Sequence, residues 1–185
     1  MSKPVRSIGT ARTTRRLPIN EGVSLRSVMG RFATGITVLT VGGDHAHGMT
    51  ANAFSSVSLE PPMVLCCVAR GARLHSAIRS ARSFGVSILS GDQQEVSRHF
   101  ADWRRADGMA QFEPFEHRIG RHTGAPLLEG ALAWLECDLI DMFDGGDHSI
   151  FVGKVLECGL DDGRGALSFF GGDYHLLAAP DRKAS

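Results

Sequence analysis

Three short stretches of the chain combine residue types with chemical potential. TANAFSSVS, residues 50–58, sets Thr50, Asn52, Ser55, Ser56 and Ser58 in one run with no charge. A strongly apolar run, MVLCCVA at 63–69, follows almost at once. Hydroxyl and amide groups beside buried sheet need partners, either the protein's own backbone or a flat polar ligand. ARGARLHSA, residues 69–77, places Arg70 and Arg73 at the start of a helical pattern. Guanidinium groups beside helix N-terminal amides can take a phosphate, and the plain alternative is a pair of solvated loop charges. GGDHSIF, residues 145–151, puts His148 at the end of a hairpin, facing either a ligand or water.

Other chemistries are excluded by what is missing. No GxSxG elbow, Walker loop or GxGxxG occurs. Cys66, Cys67, Cys137 and Cys158 show no metal spacing, and the HxH of His45 and His47 sits in a turn with no third ligand nearby. No metal is therefore expected. Free cysteines in apolar runs suit a reducing compartment, so a cytoplasmic protein is expected. The 185 residues carry a formal net charge of zero, which argues against nucleic acid as a partner. Residues 1–20 hold Lys3, Arg6, Arg12, Arg15 and Arg16 and no acid, leaving 15 of the 20 basic side chains against 20 acidic ones. Arg15-Arg16 leads into LPINEG and not into an apolar run, so a twin-arginine signal is not expected. No stretch approaches the ~18 apolar residues of a membrane span, and no membrane partner is expected.

The elements that must position these groups follow from periodicity. Leu25, Val28, Met29 and Phe32 share one helical face, with Ser24 as the start and Gly35 as the end. ITVLTV (36–41) is a strand, and the GGDHAHG turn pairs it with residues 48–54. Pro61 and Pro62 break the chain before a buried strand over 63–69. Residues 73–81 form a short helix, 84–90 a strand, and 92–102 a helix opened by a capping box of Asp92 and Glu95. Residues 103–126 read as a polar surface excursion. GALAWLECDLIDMF alternates, with Ala133, Leu135, Cys137 and Leu139 inward and Glu136 and Asp138 outward. Residues 148–159 return from the DGGD turn, and LSFFGG (167–172) closes the set. At least six strands on short turns, three short helices and no βα repeat predict a mainly β domain, an antiparallel barrel with helices outside it. That domain spans 24–178, between a flexible basic tail over 1–23 and a short tail over 179–185.

Taken together, RFATGITVLTV (31–41), GMTANAFSSVSLEPPMVLCCV (48–68), FGVSILSGDQQEVSRHFA (84–101), GALAWLECDL (130–139), GDHSIFVGKV (146–155) and FFGGDY (169–174) resemble the short-chain flavin reductase family. Its members are NAD(P)H:flavin oxidoreductases that serve two-component monooxygenases. The resemblance implies an FMN-binding split β-barrel of Greek-key type, a homodimer, FMN or FAD, NADH or NADPH as reductant, and a transient oxygenase partner. It implies flavin contacts from Gly48, Met49, Thr50, Ala51, Asn52, Ala53, Ser55, Cys67, Val68, Ala69, Arg70, Arg73, His75 and Phe84. His148 becomes the catalytic candidate, placed near the nicotinamide together with Tyr174. Ala53 stands where the family usually has Ser, and ARGARLHSA departs from its commoner Ser-rich form. The implied activity is hydride transfer from NAD(P)H to flavin. The alternative is a split barrel that holds flavin or haem without turnover.

Overall fold

The computed structural model describes residues 24–161 and 164–179. The expected basic tail and nearly all of the C-terminal tail lie outside the described residues. In chain order the elements are α1 (Leu25–Met29), β1 (Thr34–Gly35), β2 (Thr37–Val41), β3 (His47–Ala51), β4 (Phe54–Leu59), β5 (Pro62–Ala69), α2 (Arg73–Ala81), β6 (Ser83–Ile88) and α3 (Gln94–Ala101). Then come β7 (His117–Ile119), β8 (Pro126–Leu128), β9 (Ala133–Gly145), β10 (His148–Leu160), β11 (Ala166–Phe170) and β12 (Asp173–Leu177). The mainly β class expected from the alternating segments holds.

Seven strands form one antiparallel sheet in the order β3-β2-β6-β9-β10-β5-β4. Its two edges, β3 and β4, are neighbours in sequence, joined only by Asn52 and Ala53. The sheet therefore curls until its margins approach. No ladder bonds join β3 to β4, so the barrel has an open seam. This corrects the expected strand over 48–54. The polar run is not one strand but the end of one edge, a two-residue crossing and the start of the other edge. The Ala53 carbonyl accepts from the Cys67 amide at 2.9 Å, which ties the crossing to β5.

Inside the curl, Leu39, Cys66, Val68, Phe84, Val86 and Phe151 pack with Leu74 and Ile78 of α2. A second cluster joins Val38, Leu89, Phe100 of α3 and Phe112. Phe112 and Gln111 are fully buried, so residues 103–126 are not a surface excursion. A short 3-10 turn, Gly108–Phe112, plugs the barrel from that side. Gln111 Oε1 accepts from the Gly48 amide at 2.8 Å, and the Arg105 guanidinium donates to the Gly48 carbonyl and to His47 Nε2, the latter at 2.9 Å. Because arginine can only donate, His47 must accept through Nε2 and stay neutral. Burial first, then the nearby Arg105 and Arg73 charges, push His47 down to about 4.

Two further expectations are corrected. Glu136, expected outward, is fully buried on β9. Its carboxylate accepts from the amides of Arg121, His122 and Thr123 and from the Thr123 hydroxyl, so a 119–125 turn is wrapped around one charge. Burial alone would raise its carboxyl, but these donors outweigh burial and hold it below the ordinary range. At α3 the Asp92–Glu95 capping box does not form. Asp92 instead accepts from the Ser90 hydroxyl, and Gln93 precedes the helix without a side-chain cap bond.

Candidate functional site

A cavity of about 1310 Å³ lies at the open seam. Asn52 and Ala53 of the crossing, Ser55 of β4 and Cys67 of β5 line one side. The segment from Arg26 to Gly35 lines the other. That segment is held by Ser24, whose hydroxyl caps α1 by accepting from the Ser27 amide at 3.1 Å. The helix ends at Gly30, earlier than the expected Gly35. The Gly30 carbonyl accepts from the Gly171 amide at 2.7 Å, which anchors the segment to the β11–β12 turn. A Cβ built on Gly35 would meet nothing within 4 Å, so this residue leaves open space in the cavity wall. The Thr34 hydroxyl, also on the lining, is a buried polar atom with no partner. A cavity larger than the roughly 300–1,000 Å³ of a single-ligand pocket, with small walls and unspent hydrogen-bonding groups, fits a flat polar ring with room beside it. The residues present therefore fit a flavin.

His148 is the first residue of β10, directly opposite Ala69 of β5. Cys67 and Ala69 share one face of β5, two residues or about 7 Å apart. His148 thus stands one step along the same face from the cavity lining. The half-exposed imidazole donates from Nδ1 to the Asp147 carboxylate at 2.8 Å. That bond holds the Asp147 carboxyl below its ordinary range, and Nε2 has no protein partner among the described residues. The hairpin tip is bolted to the loop after β5. The Arg70 amide donates to the Asp147 carbonyl at 3.0 Å, and the Arg70 side chain pairs with Asp144 at 2.7 Å. His75 Nε2 meets the Ser149 hydroxyl at 2.9 Å.

The sequence-predicted site residues therefore fall into three groups. Asn52, Ala53, Ser55 and Cys67 meet at the cavity. Ala69, Arg70 and His148 gather at the hairpin tip beside it, whereas His75 is buried on the other face of the sheet against Ser149 and Phe151. The remaining residues spend their side chains elsewhere. Val68 and Phe84 are fully buried in the core. Gly48 lies against Phe100, where an added Cβ would come within 2.7 Å of the ring. Met49 and Ala51 pack on the core, and the Thr50 hydroxyl donates to the Ser97 carbonyl at 2.7 Å. Arg73 turns toward a separate cavity of about 340 Å³ and pairs with Asp107. Tyr174 meets the Ser97 hydroxyl at 3.0 Å and lies under Arg98. Sequence reasoning missed the whole opposite wall, Arg26, Arg31, Thr34 and Gly35 among it. RFATG offers one arginine, Arg31, with no helix start beside it in the sequence to mark a site, and only the fold brings it to the seam. Ligand atoms of His122, Glu136 and Glu157 lie within 4.8 Å of one another, but His122 Nε2 already meets the Glu157 carboxylate at 3.0 Å and Glu136 is occupied by its four donors.

An open-seamed antiparallel barrel with a ring-sized cavity at the seam and a histidine beside it is an arrangement that can hold a flat cofactor. Residues 29–178 match the family model described as Flavin reductase like domain, and the chain belongs to that family. It is 45% identical over 159 residues to an NADH-dependent FAD reductase of Streptomyces globisporus, a match covering 86% of this chain and 87% of that one. It is 39% identical over 158 residues to the reductase component of a 4-hydroxyphenylacetate 3-monooxygenase of Thermus thermophilus, covering 85% and 97%. Among solved structures it resembles BorF, the flavin reductase component of a bacterial two-component tryptophan halogenase, with a TM-score of 0.82 and 47% identity over 84% of this chain and 98% of that one.

Proposed function

We propose that the chain is a flavin reductase that takes a hydride from NADH or NADPH, delivers it to FMN or FAD, and releases reduced flavin to a separate oxygenase component. The observation that carries this reading is the seam cavity of a family member, walled by small residues and bordered by His148. When bound, the flavin supplies the two-electron chemistry. The chain's residues supply position. Asn52 and the Ala53 backbone would meet the polar edge of the ring, and Gly35 leaves the opposite wall open to it. His148, turned by Asp147 so that Nε2 is presented, would address the nicotinamide carboxamide. Fixing two reactants face to face can be worth about 7–11 kcal/mol of barrier, so little acid–base chemistry is required of the protein. Because the Streptomyces relative is an NADH-dependent FAD reductase, NADH with FAD is the first pair to try.

The reading extends to assembly and location. Leu25, Val28, Met29 and Phe32 are 66, 53, 54 and 67% exposed, an apolar face that a second copy of the chain would cover. A homodimer is therefore part of the proposal. Four free cysteines support a reducing, cytoplasmic setting. No helix among the described residues is long and apolar enough to cross a membrane. The test is flavin-dependent NADH or NADPH oxidation by the purified protein, followed by absorbance. Turnover with at least one pairing of nucleotide and flavin is expected. Binding without turnover in every pairing would favour the non-catalytic alternative.

A further inference from the structure

Strand β3 is one margin of the seam, and side chains claim its outer edge at Gly48. In the antiparallel pair of β2 and β3, Gly48 stands opposite Thr40 and Thr50 opposite Val38. Backbone groups along such an edge turn inward and outward with period two. The Gly48 amide donates outward to Gln111 Oε1 at 2.8 Å, and the Gly48 carbonyl accepts from Arg105. Both groups are thus filled as a further strand would fill them. By the same period the Thr50 amide and carbonyl also point outward, two residues before the Asn52–Ala53 crossing on the cavity lining.

The grip is fixed from behind. The Arg105 guanidinium also donates to Gln111 Oε1 at 3.2 Å, to the Asp102 carbonyl at 2.7 Å and to His47 Nε2 at 2.9 Å. Gln111, fully buried, donates from Nε2 to the Gly108 carbonyl at 2.7 Å. The Thr50 hydroxyl donates to the Ser97 carbonyl of α3 at 2.7 Å. Residues 97–111 therefore hold the β3 margin at His47, Gly48 and Thr50. An arginine that only stabilised its own loop would be satisfied by Asp102 and Gln111, whereas Arg105 spends Nη2 on β3.

We infer that Arg105 is a positioning residue for the flavin site, which through Gln111 and Gly48 fixes the β3 margin and hence the width of the seam at Asn52 and Ala53. The inference rests on the flavin reductase reading. Arg105 does not line the seam cavity, so its effect reaches the ring through the backbone. A margin released from the grip samples other positions, and apparent affinity falls by the fraction of time it is correctly placed.

The test uses the full chain and its Arg105→Ala variant, titrated with riboflavin and assayed for NADH oxidation over a range of riboflavin concentrations. Leu127→Ala, a core truncation outside the grip and the cavity lining, gives the effect of lost stability alone, measured by urea unfolding. Arg105→Ala should raise the riboflavin Kd and KM about tenfold, with kcat at saturation within about twofold of wild type. Leu127→Ala should lower the urea midpoint and leave the riboflavin Kd unchanged. Arg105→Lys, which keeps a donor for one carbonyl, should raise Kd by about threefold, and it carries the test if Arg105→Ala does not fold. Unchanged Kd in the Arg105 variants would overturn the inference. So would an equal rise in Leu127→Ala, or a fall in kcat with Kd unaltered. Wild-type protein whose riboflavin affinity depends on Arg105 but which never oxidises NADH or NADPH would sink the reductase reading and leave the positioning role standing. Wild-type protein with no affinity for riboflavin would remove both.

Discussion

At the scale of single residues, Gly35 and His148 separate binding from chemistry. Gly35 faces open space, so Gly35→Leu should fold normally and place a side chain where the ring would lie. Its expected effect is a flavin Kd at least about tenfold higher, with an unchanged unfolding midpoint in urea. A variant that bound flavin normally would move the ring site away from this wall. In the proposed reading, His148→Ala removes the Nε2 acceptor that would address the nicotinamide carboxamide. It should slow anaerobic flavin reduction by about ten- to a hundredfold while leaving flavin titration unchanged. Equal losses in both measurements would make His148 a flavin ligand. His148 was legible because DGGDH places it at a hairpin end by turn chemistry alone. Gly35 was not legible, because a glycine beside a strand announces nothing until its neighbours across the cavity are known. Glu136 misled for a related reason. Alternation correctly put it opposite Cys137, but that outer face is covered by the 119–125 turn, three of whose four donors come from the backbone and leave no trace in residue type.

At the scale of elements, the Gly108–Phe112 turn and Arg105 clasp the start of β3 through His47. The clasp needs neutral His47, whose folded value of about 4 lies below the unfolded value of about 6.5. In that interval the unfolded chain binds the extra proton, so folding stability should fall as pH drops from about 6.5 through about 4. The loss should reach at most about 3 kcal/mol and should be absent above pH 7. Urea unfolding at a series of pH values checks this, and His47→Gln, which keeps an acceptor for Arg105, should flatten the dependence. An unaltered slope in that variant would assign the acid sensitivity to other groups. The apolar and β-branched runs over 36–41, 63–69, 84–90 and 148–159 were readable as strands because each packs into the core, β2 along its whole length. The 103–126 region was not, since its buried members, Gln111, Phe112, Gly120, Ala125 and Pro126, are too few and too irregularly spaced to set up a period. The division of 48–59 into two edges was hidden as well. Alternation runs through both strands, and nothing at Asn52 and Ala53 marks a change of neighbour.

At the scale of the whole molecule, the proposed homodimer would close over the exposed apolar face of α1 and Phe32 just beyond it. Phe32→Asp should convert a dimer into a monomer in sedimentation, because a charge placed in an apolar contact cannot be desolvated cheaply. A wild-type protein that sediments as a monomer at micromolar concentration would remove the dimer from the proposal. The periodicity of Leu25, Val28, Met29 and Phe32 marks one helical face in the sequence. What covers it was beyond a single chain's sequence, because the described residues supply nothing against it.

The open seam has a consequence for amide exchange. Strands β3 and β4 each have a single ladder partner, while β9 and β10 are paired on both sides. Deuterium should therefore enter residues 47–59 early and the β9–β10 hairpin interior late. A flat ring seated across Asn52 and Ala53 would stand where the missing strand pairing would have been. Adding flavin should then slow exchange on both margins at once, although they lie at opposite ends of the strand order, and leave the central strands as they were. In exchange terms the ligand becomes the eighth member of a seven-stranded sheet.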